Sequence, residues 1–508
     1  MNEAIPHRAA TIDVDHSIRA AHGRSLRGDY GITAVGVGAL ALFFMRLSES
    51  VMHWFLLPLI ACGILAGVDI VRWLRGRLDL FDPRTIIACL AFYGLFVAPI
   101  LHVVWDRFGA GYDMDLWGDW RPWLGAMAAL NAAGLLVYRW THNWIFRRTT
   151  PPETVWEVER QRFHPVFASA LTLSAAGVVY YLWQFGGPSG VVEAFESNQE
   201  AFVGKGWLLV LAWPLAVLSF IVLALVYTDR PLPGGHHLAK GIVLLSAAGM
   251  GHFILMGWYG SRSATVWALF WMAGIVHYRF HKLSPRWMGL GVILLIAFMY
   301  FYGFYKEQGR SGFDVMRSPA RWFDPGSSKR DVKFLLLGDL ARADSNAYIL
   351  HNLVKDPGEY DYRWGLTYAG AFIILVPRNF WPDRPEFKVE AGTEAQLGKA
   401  GPWRSSRVYG LSGEALLNFG PGGVVPMFAI YGSLLGWYRR KLVSWQPQDS
   451  RFFLAPFFTM LLASALVSDS DNLVYAAVTQ GALVIAAVSI ASRRSALLAT
   501  SDEITHRD

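Results

Sequence analysis

Cysteine is almost missing from this sequence: two among 508 residues, Cys62 and Cys89, both inside apolar runs. They offer neither a disulfide framework nor a metal site and read as small buried hydrophobes. Charge is scarce too, at 17% against 54% hydrophobic and 15% aromatic residues, which excludes an ordinary soluble domain. There is no Gly-x-x-x-x-Gly-Lys-Ser/Thr loop and no dinucleotide fingerprint, so no built-in nucleotide engine is expected. His102, His252 and Asp69 lie in or near apolar runs, but no His-x-x-x-His, carboxylate cluster or Cys/His spacing accompanies them, and neither a metal nor another cofactor is expected. The first thirty residues carry Arg and His without an apolar core, so a cleavable signal peptide is not expected and the first span would target the chain itself. The net charge of +7 fits loops facing anionic lipid, with no nucleic-acid partner.

What the chain has in abundance is apolar length. Trp207 to Thr228 contains no charge and, at about 1.5 Å per residue, is long enough to cross a hydrocarbon core of about 30 Å. Similar windows fall near 31–46, 52–71, 85–104, 122–138, 165–185, 206–228, 239–257, 263–278, 288–305, 420–437, 452–467 and 473–491. The expected fold class is an all-α polytopic membrane protein of about twelve transmembrane helices with one large external loop containing short helices. Arg72, Arg75, Arg77 and Arg84, then Arg279, His281, Lys282 and Arg286, then Arg439, Arg440, Lys441 and Arg451 mark cytoplasmic connections. Asp106, Asp113, Asp115 and Asp119, Glu193, Glu196 and Glu200, and Asp469 and Asp471 mark external ones. The alternation closes with both termini in the cytoplasm. It divides the chain into a cytoplasmic segment 1–30, a membrane domain 31–305 of about nine spans, a periplasmic loop 306–419, a membrane domain 420–491 of about three spans and a cytoplasmic tail 492–508.

The long loop is where chemistry is expected. From 306 to 418 it holds sixteen Lys and Arg against fourteen Asp and Glu, a density that a lipid-facing helix does not accommodate. Asp339 to His351 has the spacing of a short surface helix, and Leu366 to Val376 is an apolar stretch too short to span, suited to a re-entrant or interfacial segment. It delivers Arg378 and Arg384 on a stiff turn containing Pro377, Pro382 and Pro385, with Phe380 and Trp381 suited to the headgroup layer. Arg404 and Arg407 precede a helix start at Glu414. Several guanidinium groups could thus converge, and guanidinium forks match phosphate oxygens. Arg262 is the main cation of a short external connection on the same face, although a snorkelling Arg at a span end is the ordinary reading.

The elements Gly260-Ser-Arg262, Gly338-Asp-Leu-Ala-Arg342-Ala-Asp344, Gly365-Leu-Thr-Tyr, Val376-Pro-Arg-Asn-Phe-Trp-Pro-Asp-Arg-Pro385 and Gly413-Glu-Ala-Leu-Leu-Asn-Phe-Gly420 resemble, in kind and order, the bacterial oligosaccharide repeat-unit polymerases of the O-antigen polymerase, or Wzy, type. The resemblance covers roughly residues 255–440, and Arg384 stands where that family often has Lys. It implies a GT-C-like glycosyltransferase of the bacterial inner membrane. A glycan would be transferred from undecaprenyl diphosphate to a hydroxyl of the next lipid-linked repeat unit at the periplasmic face, in O-antigen, capsule or exopolysaccharide synthesis. Its partners would be the lipid-linked oligosaccharide, membrane lipids, and a chain-length regulator and flippase of the same pathway.

That chemistry asks for cations on the leaving diphosphate and a group that positions or deprotonates the acceptor. Arg262, Arg342, Arg378, Arg384 and Arg407 are candidates for the first role, with Trp381 and Asn418 also placed against substrate. Glu414 is the first candidate for the second role, Asp383 the next and His351 a third. An Arg beside Glu414 would hold its pKa down and leave it to orient a sugar or lock the Arg, and a helix-cap role is the structural alternative. Two other function classes fit the same composition. An O-antigen ligase-like transferase would share fold and donor, although the Trp-Pro element favours a polymerase. A secondary transporter or flippase would also have twelve spans, but the halves are unequal and no internal repeat is found. A non-catalytic assembly scaffold is a further alternative.

Overall fold

The computed structural model describes residues 26–108, 118–148, 154–197, 199–202, 204–228, 262–322, 332–378, 380–398, 407–446 and 448–496. The apolar window 239–257 and Arg404 lie outside them. Helices make up 78% of the structure. Among the described residues, seven are long and apolar enough to cross a membrane. They are α1 (Leu26–Leu47), α2 (Leu56–Leu74), α3 (Pro83–Val104), α5 (Arg160–Trp183), α6 (Gly206–Leu225), α8 (Pro285–Gln308) and α15 (Ser470–Ala491). Three more long helices, α4 (Arg121–Phe146), α7 (Arg262–Arg279) and α13 (Pro421–Ser444), fall on expected windows but are more polar. The window at 452–467 holds only the ten-residue α14 (Ala455–Ser464). The all-helical expectation needs one amendment: β1 (Thr154–Val158) pairs antiparallel with β2 (Ser492–Ala496), so the expected tail begins as a strand. The pairing sets Glu157 opposite Arg493 and lays Arg494 over the Trp156 ring, both favourable cross-strand arrangements.

The described loop residues include four helices of eight residues or more: α9 (Ala343–Lys355), α10 (Leu366–Ile373), α11 (Phe387–Leu397) and α12 (Gly410–Phe419). The expectation of a surface helix near 339–351 is corrected here. In α9, Asn346, Ala347, Ile349, Leu350 and His351 are buried, because α9 packs on α4, α11 and α12. Ile349, Leu350, Ala391 and Leu416 share one core with Cys62, Met127, Leu135 and Phe428 of the long helices. Tyr93 O–H of α3 also donates to Leu336 O at 2.6 Å. The helices α9, α11 and α12 of this segment are therefore built into the helical scaffold.

Two devices fix that scaffold. The first is charge. Asp69, 3% exposed, pairs with Arg84, Arg139 and Arg72, while Asp29 pairs with Arg72, Arg75 and Arg77. Arg439 of α13 binds Asp82, the N-cap of α3, at 2.7 Å. The arginines expected simply to flank cytoplasmic span ends thus also join helices. The second is close backbone approach between α13 and α4. A Cβ on Gly432 would lie 2.4 Å from Tyr138 O, and one on Gly436 would lie 2.7 Å from His142 O. This is the small-xxx-small arrangement by which membrane helices meet closely. The obstructing carbonyls are backbone and cannot swing away, so Gly432→Leu should cost about 3 kcal/mol or more. It should lower the thermal midpoint of the detergent-purified protein, and Gly432→Ala should shift it in the same direction by less.

Candidate functional site

Three helix starts meet around α12. Asp469, the N-cap of α15, reaches across to α12, and its Oδ1 accepts from Tyr409 N at 2.7 Å and Gly410 N at 2.8 Å. Glu414 of α12 returns the contact: its Oε2 accepts from Ser470 N at 2.8 Å and its Oε1 from Ser470 Oγ at 2.5 Å. Each helix thus satisfies backbone donors at the start of the other, which no local capping residue does. The third start is that of α10. Asn418 Oδ1 accepts from Gly365 N at 2.9 Å, its Nδ2 donates to Thr367 Oγ1 at 2.6 Å, and Thr367 Oγ1 donates to Glu414 Oε1 at 2.8 Å. Gly365 sits at φ +92° at this turn, a conformation suited to glycine. Gly413 is fixed by space, since a Cβ there would lie 2.2 Å from Asn346 Oδ1.

Glu414 is 3% exposed and Asp469 is fully buried. Burial and the neighbouring Asp469 charge outweigh the Ser470 and Thr367 donors and push the Glu414 carboxyl up to about 7. Burial raises Asp469 as well, against the pull of Lys388 and two backbone N–H groups. Lys388 Nζ lies 3.2 Å from Asp469 Oδ2 and 3.5 Å from Asp471 Oδ2. Burial opposes its charge, but the two aspartates prevail and raise its pKa. The expected arginine beside Glu414 is replaced by a carboxylate, so the shift runs upward and Glu414 can both take and give a proton near neutrality.

The arginines expected to converge are divided. Arg378 and Arg384 line one cavity of about 260 Å³, together with Phe202, Trp207, Leu375 and Tyr475. Arg384 Nη1 donates to Ile374 O and Val376 O, both at 2.6 Å, at the end of α10, while Arg378 pairs with Glu386. Burial and the adjacent Arg378 lower the Arg384 pKa, yet an arginine stays cationic. Arg342 lies elsewhere, with Nη1 on the carbonyls of Asp339 and Ala341, beside a cavity of about 40 Å³ also lined by Asn131 and Ser412. Arg407 is 3.5 Å from Asp344. Arg262 opens α7, and its side chain lies outside the described residues.

Other candidates land as follows. Asn418 is fully buried and its amide is engaged in capping α10, so it supports Glu414 from within the protein. Asp383 is exposed on the turn after Trp381, itself 42% exposed. No hydrogen bond found among the described residues joins Asp383 to the Glu414 cluster. His351 sits edge-on to Trp123 at 4.9 Å, with Nδ1 against Asn352, a packing role. Lys388, Thr367, Asp469 and Ser470 were not anticipated. The Asp469-Ser470 pair before an apolar run carries an N-cap signature, the one local signal that could have marked it. No group of His, Cys, Asp and Glu fit to hold a metal occurs among the described residues.

No protein-family model, curated protein or solved structure matches this chain.

Glu414 binds its proton more tightly folded than unfolded, with its pKa raised from 4.5 to about 7. Its contribution to stability is therefore complete below about pH 4.5 and lost as pH rises through about 7, a span worth about 3 kcal/mol. Thermal melts should show wild type losing stability relative to Glu414→Gln between about pH 5 and pH 8. Parallel pH dependence in the two proteins would contradict the raised pKa.

Proposed function

We propose that this chain is a C-type membrane glycosyltransferase that polymerises undecaprenyl-diphosphate-linked oligosaccharide repeat units at the periplasmic face of the bacterial inner membrane. The observation that carries this reading is the pairing of α10 with α15. Thr367 and Ser470, at their two starts, both bond Glu414, whereas Ile374, Leu375, Tyr475 and Val478 further along line the cavity of Arg378 and Arg384. The two helices run in the same direction. Seven residues of α10 separate acid from cations, roughly 10 Å of helix rise. A carboxyl that titrates near neutrality and an amphipathic cavity with two guanidinium groups are the two requirements of glycosyl transfer from a lipid diphosphate.

In this reading the acceptor hydroxyl gives its proton toward Glu414 and its oxygen bonds the donor sugar's anomeric carbon. The bond from that carbon to the diphosphate oxygen breaks, and undecaprenyl diphosphate leaves with the electron pair. Arg378 and Arg384 stabilise the departing charge, with Arg262 assigned to the same face. The glycosyl-diphosphate bond is already activated, so no nucleotide is needed. The twelve-span topology with both termini cytoplasmic, and a chain-length regulator and flippase as partners, belong to the same proposal.

A second reading draws on the same cluster. A buried, proton-affine carboxyl with a lysine-paired aspartate is also what a proton-coupled transporter or flippase would carry. Purified protein given only a lipid-linked repeat unit separates the readings. Laddered products support the polymerase, products only after a second acceptor is added indicate a ligase, and movement without covalent change indicates a transporter. In cells that depend on this chain for polymer, Arg384→Ala and Glu414→Gln should each reduce polymerisation by about 10²–10³ at normal protein level. Arg378→Lys should fall between Arg378→Ala and wild type. Unchanged long chains in Arg384→Ala and Glu414→Gln would remove both residues from the mechanism.

A further inference from the structure

Glu414 is 3% exposed, and Thr367 beside it 1%. Neither can be reached directly by a sugar. Ser470 is different: it is partly exposed at the start of α15, and its Oγ donates to Glu414 Oε1 at 2.5 Å. Its backbone N–H independently holds the other carboxylate oxygen, Oε2, at 2.8 Å. The orientation of Glu414 therefore does not depend on the Ser470 hydroxyl. Of the two hydroxyls on Glu414, that of Ser470 belongs to a partly exposed residue, while that of Thr367, bonded in turn by Asn418, belongs to a buried one.

We propose that the Ser470 hydroxyl is a proton relay through which an acceptor hydroxyl outside the site delivers its proton to buried Glu414. The inference rests on the polymerase reading for the identity of the acceptor. In the step, the acceptor O–H proton passes to Ser470 Oγ as the original Ser470 proton passes to Glu414 Oε1. The acceptor oxygen's electron pair forms the new bond to the anomeric carbon, and the diphosphate departs with the pair of the bond that breaks. Ser470 ends as it began, a neutral hydroxyl, and Glu414 ends as a neutral acid. A hydroxyl suits this place because it donates and accepts at once. The charged and titratable groups around the pair fit a single proton held near Glu414. Asp469 precedes Ser470, Lys388 of α11 and Asp471 face Asp469, and Tyr368 of α10 lies near enough to feel both carboxylates.

The test has a readout that needs no substrate. The full-length protein in nanodiscs is moved into D2O at a pH where Glu414 is protonated. Exchange of the Glu414 carboxyl is followed by its infrared C=O band, assigned by its loss in Glu414→Gln. A relay predicts that Ser470→Ala slows exchange about tenfold or more, the factor set by about 1.4 kcal/mol in a barrier. Ser470→Thr, which keeps a hydroxyl, should restore the wild-type rate. A purely structural Ser470 predicts equal rates in all three at equal thermal midpoints, and that result overturns the proposal. Should Ser470→Ala fail to fold, Ser470→Cys substitutes for it, since its thiol is a weak donor of similar size; wild-type exchange in Ser470→Cys likewise overturns the relay.

Polymer ladders from cells carrying the same variants separate this failure from failure of the polymerase reading. Slowed exchange with a wild-type protein that forms no polymer keeps the relay and rejects the polymerase. Polymer formation with Ser470-independent exchange keeps the polymerase and rejects the relay. With both intact, Ser470→Ala should lose about 10²-fold in polymerisation, the low end of a proton-transfer contribution.

Discussion

The reciprocal contact between Asp469 and the start of α12, and between Glu414 and the start of α15, is the constraint on which the rest of the site depends. Helix starts present unsatisfied N–H groups and a positive dipole end, and in a membrane protein such groups must find partners inside the structure. Here two acidic side chains meet that need for each other's helices. The same bonds bring the two carboxyl groups together in a buried place. Lys388 then becomes necessary as a counterion for Asp469, which leaves Glu414 with the proton that the pair cannot shed cheaply.

The scaffold beneath follows a similar logic with different charges. Asp29, Asp69 and Asp82 collect arginines from separate elements and join α1, α2, α3, α4 and α13. The glycine contact between α13 and α4 lets those helices approach closely enough for Phe428 and Leu435 to enter the core that holds α9 and α12. A disturbance at Gly432 would thus be felt at α12 through packing, even though α13 carries no residue of the Glu414 cluster.

Much of this architecture was legible in the sequence, and the reason is the solvent. Lipid forces long apolar stretches into helices, so the windows at 31–46, 52–71, 85–104 and 473–491 each coincide with one. The Val376–Pro385 turn was legible because prolines fix it, and Arg378 and Arg384 do share a cavity. Glu414 was singled out by its motif as a candidate, but the arginine expected beside it is a carboxylate. What raises its pKa is burial and, after it, the charge of Asp469, fifty-five positions away and brought near by helix capping that leaves no periodic trace. Lys388 was hidden for the same reason, since a lysine on a short helix with little amphipathic pattern reads as solvated until its partner is known. Arg407 folds toward Asp344, and Arg342 sets its guanidinium on backbone carbonyls within reach of the Asp469 charge.

Separating the acid from the arginines solves a problem that convergence would have created. A guanidinium in contact with Glu414 would depress its pKa and leave a permanent anion with little affinity for a proton. Under the proposed glycosyl transfer, placing the arginines too far away would leave the departing diphosphate without a cation. The helix rise of roughly 10 Å between the two ends of α10 is consistent with the span of the reacting groups. In the proposed transfer a relay and acceptor oxygen would each occupy about 3 Å of hydrogen-bond distance, the acceptor oxygen would approach the anomeric carbon at about 3–3.5 Å, and the diphosphate would lie beyond. One helix pair can then hold a proton-affine carboxyl and a cationic cavity without either cancelling the other, and α10, capped by Asn418 at one end and by Arg384 at the other, is the rigid element that sets the spacing.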